Sequence, residues 1–282
     1  MFIPEDRYVK VGTVNTRYWV EGTGPTLVLV HGMGGSAAGW LPCMAELAAH
    51  YQVYAMDLVG HGFTDKPDPG LRVFPNLVEF VVDFMEVMKI SRAHVMGHSM
   101  GGMVALRLAI EYPQRVDKLI AADAAGLGRE AALTFRMASI PGLGELLMSR
   151  DYTPDVWKFG EKVRAGSQNP EFITDELIAA LHHYEQTPTL YKSTLKMVRT
   201  GANWMGQKKS FYEPIVAGLP KIKSPTLVIW GRQDALLPLK QGEMAARLIP
   251  NAKLSVIENC GHVPMFDQRD EFTRLVLDFL NE

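Results

Sequence analysis

A serine hydroxyl attacks a carbonyl efficiently only when a base takes its proton and a third group fixes the tautomer of that base. The chain carries the parts for such chemistry in three runs: Gly97-His98-Ser99-Met100-Gly101-Gly102, Gly231-Arg232-Gln233-Asp234 and Asn259-Cys260-Gly261-His262-Val263-Pro264. Ser99 stands between Ala93-His94-Val95-Met96, which reads as a short buried strand, and Met103 to Ile110, which reads as a helix with Met103, Leu106 and Ile110 on its apolar face. A serine at such a turn is pushed toward strained backbone angles, and glycines at 97 and 101 remove side chains that would collide as the helix folds back on the strand. His262 is the candidate base and Asp234 the candidate orienting acid, each just after a predicted strand, where the carboxyl ends of parallel strands bring side chains together. Asp123, in Ala121-Ala122-Asp123-Ala124-Ala125, also follows a strand end and is the rival acid. Asp234 is preferred. The backbone amide of Met100, directly after the nucleophile at a helix start, is a candidate oxyanion donor. His262 must be neutral to act, so turnover is expected to fall on the acid side.

Those residues need a sheet to hold them. Short apolar runs followed by glycine-containing loops and helical patterns recur along the chain, which predicts an α/β fold with a mostly parallel eight-stranded sheet flanked by helices. The strands read as Thr26 to Val30, Gln52 to Met56, Ala93 to Met96, Lys118 to Ala122, Thr226 to Trp230 and Lys253 to Ile257, preceded by an antiparallel pair at Tyr8 to Val11 and Arg17 to Val20. Thr26-Leu27-Val28-Leu29-Val30 and Thr226-Leu227-Val228-Ile229-Trp230 are continuously apolar, as central strands buried on both faces should be. From Gly126 to Leu219 the strand signals stop and helical stretches broken by Pro and Gly take over. This predicts a core of residues 1–125 and 220–282 with a helical cap, 126–219, inserted into it. Thr153-Pro154 and Thr187-Pro188 read as cap-helix starts. Met137, Leu143, Leu146, Leu147, Met148, Trp157, Phe159, Trp204, Met205 and Phe211 read singly as internal cap packing. Together they imply an enclosed apolar pocket. Specificity is expected to reside there. Arg129, Arg136 and Arg164 read as solvated outer-face residues.

With 29 Lys plus Arg against 31 Asp plus Glu, the net charge is -2, leaving no electrostatic footprint for nucleic acid or an anionic membrane. A small neutral or modestly polar molecule is the expected partner, and a homo-oligomer is left open. The first residues lack a basic start with an apolar stretch and cleavage site, and no segment is long and apolar enough to span a bilayer, so a cytoplasmic protein is expected. Cys43 and Cys260 are too few for a disulfide framework and read as small buried residues. No cofactor or metal is expected. The Gly32 to Gly35 loop lacks a Walker lysine and nucleotide-binding spacing, and the adjacent His182 and His183 point to different faces of a predicted helix.

His31-Gly32-Met33-Gly34-Gly35, Asp57-Leu58-Val59-Gly60-His61-Gly62, the Ser99 run, Asp234 and Gly261-His262 together resemble a capped α/β-hydrolase of the esterase and meta-cleavage-product-hydrolase type. The likeness covers nearly the whole chain outside the cap, and Ser99, Asp234, His262 follow its triad order. It implies a second oxyanion donor in the Met33 amide; His31, His61 and His98 belong to its motifs and read as holding loops through hydrogen bonds. It also keeps Asp123 in view, because some members of the superfamily place their acid there. The expected activity is cofactor-free hydrolysis of a carboxylic ester or related acyl compound through an acyl-enzyme. The runner-up is carbon-carbon hydrolysis of a vinylogous diketone with the same triad. Against it, this chain has Gly261-His262-Val263 where meta-cleavage enzymes usually show Gly-His-Trp, and it lacks their Gly-Pro-Gly after Gly35. A serine nucleophile excludes dehalogenase and epoxide-hydrolase chemistry as that family performs it, which uses aspartate. A slow-turnover ligand receptor on the same fold is the alternative from another class.

Overall fold

In the computed structural model, residues 2–66, 77–148, 173–185 and 190–282 are described. The strands are β1 (Arg7–Val11), β2 (Val14–Glu21), β3 (Thr26–Val30), β4 (Gln52–Met56), β5 (Ala93–His98), β6 (Val116–Ala122), β7 (Ala202–Asn203), β8 (Gly206–Gln207), β9 (Thr226–Gly231) and β10 (Ala252–Ile257). Eight of them form one sheet in the order β1-β2-β4-β3-β5-β6-β9-β10. β2 pairs antiparallel with β1 and β4, and every other ladder in this sheet is parallel.

The central strands are apolar on both faces because both are covered. Val28 and Val30 of β3, with Val228 and Trp230 of β9, belong to one buried cluster. Leu27, Leu29, Leu227 and Ile229, one residue out of phase, belong to the other. This is the period-two alternation of a strand between two cores. Helices α1 (Leu41–Ala48), α2 (Leu77–Val87) and α3 (Met100–Glu111) follow β3, β4 and β5. Phe84 of α2 and Val104 of α3 pack into the first cluster, and Met44 of α1 into the second. Each fully buried Leu or Phe contributes about 1.5–3 kcal/mol. The chain leaves β3 toward β4 on one side and then crosses to β5 on the other. The sheet therefore reverses its winding between β3 and β5, where ligands bind outside the strand ends.

Between β6 and β9 lie α4 (Leu133–Ala138), α5 (Leu143–Met148), α6 (Asp175–Glu185), α7 (Leu190–Gly201), the β7-β8 ladder and α8 (Lys209–Gly218). The ladder departs from the expectation that strand signals stop here. Its turn is set locally, with Asn203 Oδ1 accepting the Met205 N–H at 2.8 Å, a side-chain signal too short to show as a strand pattern. Leu146, Leu147, Trp204 and Met205, expected to pack internally, are exposed. The expected helix starts at Thr153-Pro154 and Thr187-Pro188, and Trp157, Phe159 and Arg164, lie outside the described residues. α9 (Lys240–Leu248) joins β9 to β10, and α10 (Pro264–Asp267) and α11 (Arg269–Asn281) complete the chain. No helix among the described residues is long and apolar enough to cross a membrane.

Candidate active site

Ser99 is the single residue between β5 and α3, with φ 54° and ψ -115°. For a non-glycine residue this backbone costs about 1–3 kcal/mol and persists only where the surroundings enforce it. They do so here: the Ser99 N–H donates to Ala122 O at 2.9 Å, and its carbonyl accepts from Met103 and Ala125 at 3.1 and 3.0 Å. The turn also depends on close approach. A Cβ on Gly97 would stand 2.1 Å from Gly101 O, and one on Gly101 would stand 1.9 Å from Val30 O.

His262 lies in the loop between β10 and α10. Its Nε2 is 2.9 Å from Ser99 Oγ, and its Nδ1 is 2.8 Å from Asp234 Oδ2. The arrangement is satisfied when Nδ1–H donates to the carboxylate and Nε2 accepts from the hydroxyl, the tautomer a base toward Ser99 requires. At 2.8 Å the Asp234–His262 contact is a hydrogen bond that leaves no room for an ion between them. Asp234 follows β9, and its Oδ1 accepts the Leu236 and Leu237 amides at 2.7 and 2.9 Å, which locks the carboxylate. Asp123 is fully buried and nearby, but its Oδ1 accepts the Gly231 N–H at 2.9 Å, while the imidazole bonds to Asp234.

The surrounding histidines hold loops. His98 Nε2–H donates to the His262 carbonyl at 2.6 Å, which anchors the histidine loop to the end of β5. Asp267 Oδ2 accepts the Gly261 N–H at 2.7 Å from the other side. His31 Nδ1 contacts Gly32 O at 2.7 Å, and its Nε2 accepts the Leu58 N–H at 3.0 Å. Burial lowers the His31 pKa to about 4 and, with the neighbouring His31 adding repulsion, that of His61 to about 3. Both are neutral near pH 7. Asp57 is buried and accepts from the buried Arg17 and from the Ala37 and Phe63 amides, fixing the loop after β4 against that after β3. Cys43 and Cys260 are free and buried, and burial pushes the Cys43 thiol up to about 12.

Ser99 sits where two lobes of a cleft meet, with Met33, Phe135, Leu236 and His262 shared by both. One lobe is walled by Trp40, Leu181, Val263 and Phe266 and carries Ser36 and Glu185. The other is walled by Met100, Met197, Val198 and Phe211 and carries Gln207. Of the apolar residues expected to form the pocket, Phe211 reaches it; Phe135, Leu181, Met197 and Val198 were not singled out from sequence. Their helical periodicity alone does not say whether a face meets the core or a cavity. Gln207, also missed, holds the segment with Oε1 accepting the Gly126 N–H at 2.8 Å. Arg129 and Arg136 turn away and donate to the Met205 and Trp204 carbonyls.

Comparison with known proteins agrees with this architecture. A 2-hydroxy-6-oxo-6-phenylhexa-2,4-dienoate hydrolase of Comamonas testosteroni is 30% identical over 94% of this chain and 91% of its own. The solved hydrolase of the same name from Rhodococcus superposes with a TM-score of 0.81 at 25% identity, covering 99% of each chain. The enol-lactonase of Burkholderia xenovorans superposes at 0.71 and 25% identity, covering 98% of this chain and 100% of that one. Residues 25–268 match the family defined by the alpha/beta hydrolase fold, and with its eight-stranded sheet this chain belongs to that family, as a capped serine hydrolase of the esterase and meta-cleavage-product-hydrolase type.

Proposed function

We propose that this hydrolase cleaves a small, largely apolar carboxylic ester through an acyl-enzyme on Ser99. The observation that carries the reading is the Ser99–His262–Asp234 relay at 2.9 and 2.8 Å, opening onto the junction of two lobes. Ser99 Oγ adds to the ester carbonyl as His262 Nε2 takes its proton. The Met33 and Met100 amides, both bordering the cleft beside Ser99, are assigned to the oxyanion; Met100 opens α3, where helix-start N–H groups favour negative charge. The C–O bond breaks, and the protonated imidazole passes its proton to the leaving alcohol. Water, deprotonated by His262, then releases the acid and regenerates the serine. Residues 126–219 are assigned as the cap that supplies the outer walls, over a core of 1–125 and 220–282.

The ester reading is preferred over carbon-carbon cleavage because the described lining contains Glu185 and neither Lys nor Arg, so it offers no cationic side chain to the carboxylate of a dienoate. The carbon-carbon reading has its own support in the dienoate hydrolases at 30% and 25% identity. Fluorophosphonate labelling followed by turnover on an ester panel and on a 6-oxo-dienoate separates the two. Labelling of Ser99 with faster ester turnover is expected. Preferential cleavage of the dienoate would reverse the ranking, and tight binding with negligible turnover of either would point to a receptor.

A further inference from the structure

Asp123 closes β6 with φ 43°, a left-handed backbone that Asp tolerates better than most residues, and its side chain is fully buried. One carboxyl oxygen accepts the Gly231 N–H at 2.9 Å, and the other has no donor among the described residues. An oxygen of Asp123, an oxygen of Asp234 and a ring nitrogen of His262 lie within 4.8 Å of one another. Two ionised carboxylates this close in a buried site repel and can only accept, and one proton shared between them removes the repulsion and supplies the missing donor.

The partners of the two groups decide where that proton sits. Asp234 accepts from two amides and the imidazole N–H, whereas Asp123 accepts from one amide. Burial first, then the charge of Asp234, holds the Asp123 carboxyl well above the ordinary carboxylate range. The other titratable groups around it are Asp267 on α10, whose charge acts in the same direction, Cys260 after β10, whose thiol is also pushed up, and His262, against which the ring of His98 from β5 packs.

We propose that Asp123 is a positioning residue: a neutral carboxylic acid that donates its O–H to the Asp234 carboxylate, holds that anion against His262, and serves as a reserve acid when Asp234 is neutralised. The proposal rests on the triad reading above. In Asp234→Asn, the Asp123 proton passes to solvent as pH rises, and the resulting anion faces the imidazole.

Infrared difference spectroscopy of the full-length enzyme tests the proton directly. At neutral pH the wild type should show a buried protonated-carboxyl band that is absent from Asp123→Asn; no such band overturns the proposal. Asp123→Ala should lower kcat on the order of tenfold with little change in KM. Asp123→Asn, whose amide keeps a donor toward Asp234 and an acceptor for Gly231, should rescue most of that loss. A fall in Asp123→Asn as deep as in Asp234→Asn would make Asp123 an ionised acid instead. Ester turnover by Asp234→Asn should rise at alkaline pH, and that limb should vanish in Asp123→Asn/Asp234→Asn. Identical profiles for the single and double variants would remove the reserve role. If Asp123→Ala fails to fold, the infrared band and Asp123→Asn decide. Failure of a phosphonate to label Ser99 would sink the triad reading while leaving the band to be judged on its own.

Discussion

The strand-end loops and the segment between β6 and β9 are built to different standards. Around Ser99, His262 and Asp234, hydrogen bonds from strand ends and their loops set each residue: Ala122 O holds Ser99, the Leu236 and Leu237 amides hold Asp234, and the His98 ring holds the His262 backbone. The segment keeps a small buried cluster of its own, Ala138, Leu195 and Val198, and leaves Leu146, Trp204 and Met205 59%, 51% and 62% exposed. It joins the core through α6, whose Leu177, Ile178, Leu181 and Tyr184 enter the second buried cluster, and through single contacts such as Gln207 to Gly126 and the ring of Tyr184 3.9 Å from the buried Arg17 guanidinium. Proton transfer tolerates little displacement, so its groups belong on a rigid sheet; apolar walls discriminate by shape and can vary.

The largest expected effect lies on the rigid side. Ser99→Ala should remove nearly all ester turnover, and Asp234→Asn should cost about 10⁴ in kcat by stabilising the wrong tautomer, while neither changes stability by more than about 1 kcal/mol. Steady-state kinetics beside urea unfolding checks both. Substantial turnover by Ser99→Ala would break the comparison at its root.

Next is the turn itself. Gly101→Ala places a methyl 1.9 Å from the backbone oxygen of Val30, which has no room to yield, and should destabilise by more than about 3 kcal/mol or prevent folding. A soluble, active Gly101→Ala enzyme would show the turn to be more pliable than its contacts suggest.

Acid should then weaken the same loops. His31 and His61 are folded as neutral rings with pKa near 4 and 3, below the ordinary 6.5, so the unfolded chain binds more protons below that value. Their contribution is present above pH 6.5 and is lost as pH falls toward those folded values, amounting to about 3 kcal/mol for His31 alone. Asp123 acts oppositely: its raised folded pKa favours folding at low pH and loses that advantage as pH rises. Urea midpoints of the wild type, His61→Gln and Asp123→Asn against pH separate the two trends; a flat wild-type profile from 6.5 to 4 would contradict the histidine assignment.

The smallest effects belong to the segment. Met197→Ala or Phe135→Ala should reorder an ester series by about 1–3 kcal/mol while leaving Ser99 open to a small phosphonate. Trp204→Ser, on the exposed turn, should shift stability by less than about 0.5 kcal/mol and leave the ranking alone. Equal responses from Met197 and Trp204 would erase the distinction between wall and outer surface.

Strand existence was legible because a two-faced buried strand has to be apolar nearly along its length, as Thr26–Val30 and residues 226–230 are. The ends were less so: β6 begins two residues before the expected Lys118, at Val116 and Asp117, where the strand reaches the rim and Asp117 pairs with Arg92. Ser99 and His262 could be singled out because glycines and a strand-helix junction mark the first, and a loop after the last strand marks the second. Asp234 was preferred over Asp123 without a comparable local mark, since both follow strands, and it is Asp234 that the imidazole meets.

The sequence by itself determined the sheet, the turn at Ser99 and the set of groups able to move a proton, because hydrophobic period and glycine placement act over a few residues. Only the tertiary structure decided which carboxylate meets the imidazole and which helix faces wall the cleft. Those outcomes depend on the register of β6 against β9 and on packing between segments far apart in the chain, and a local pattern carries no record of either.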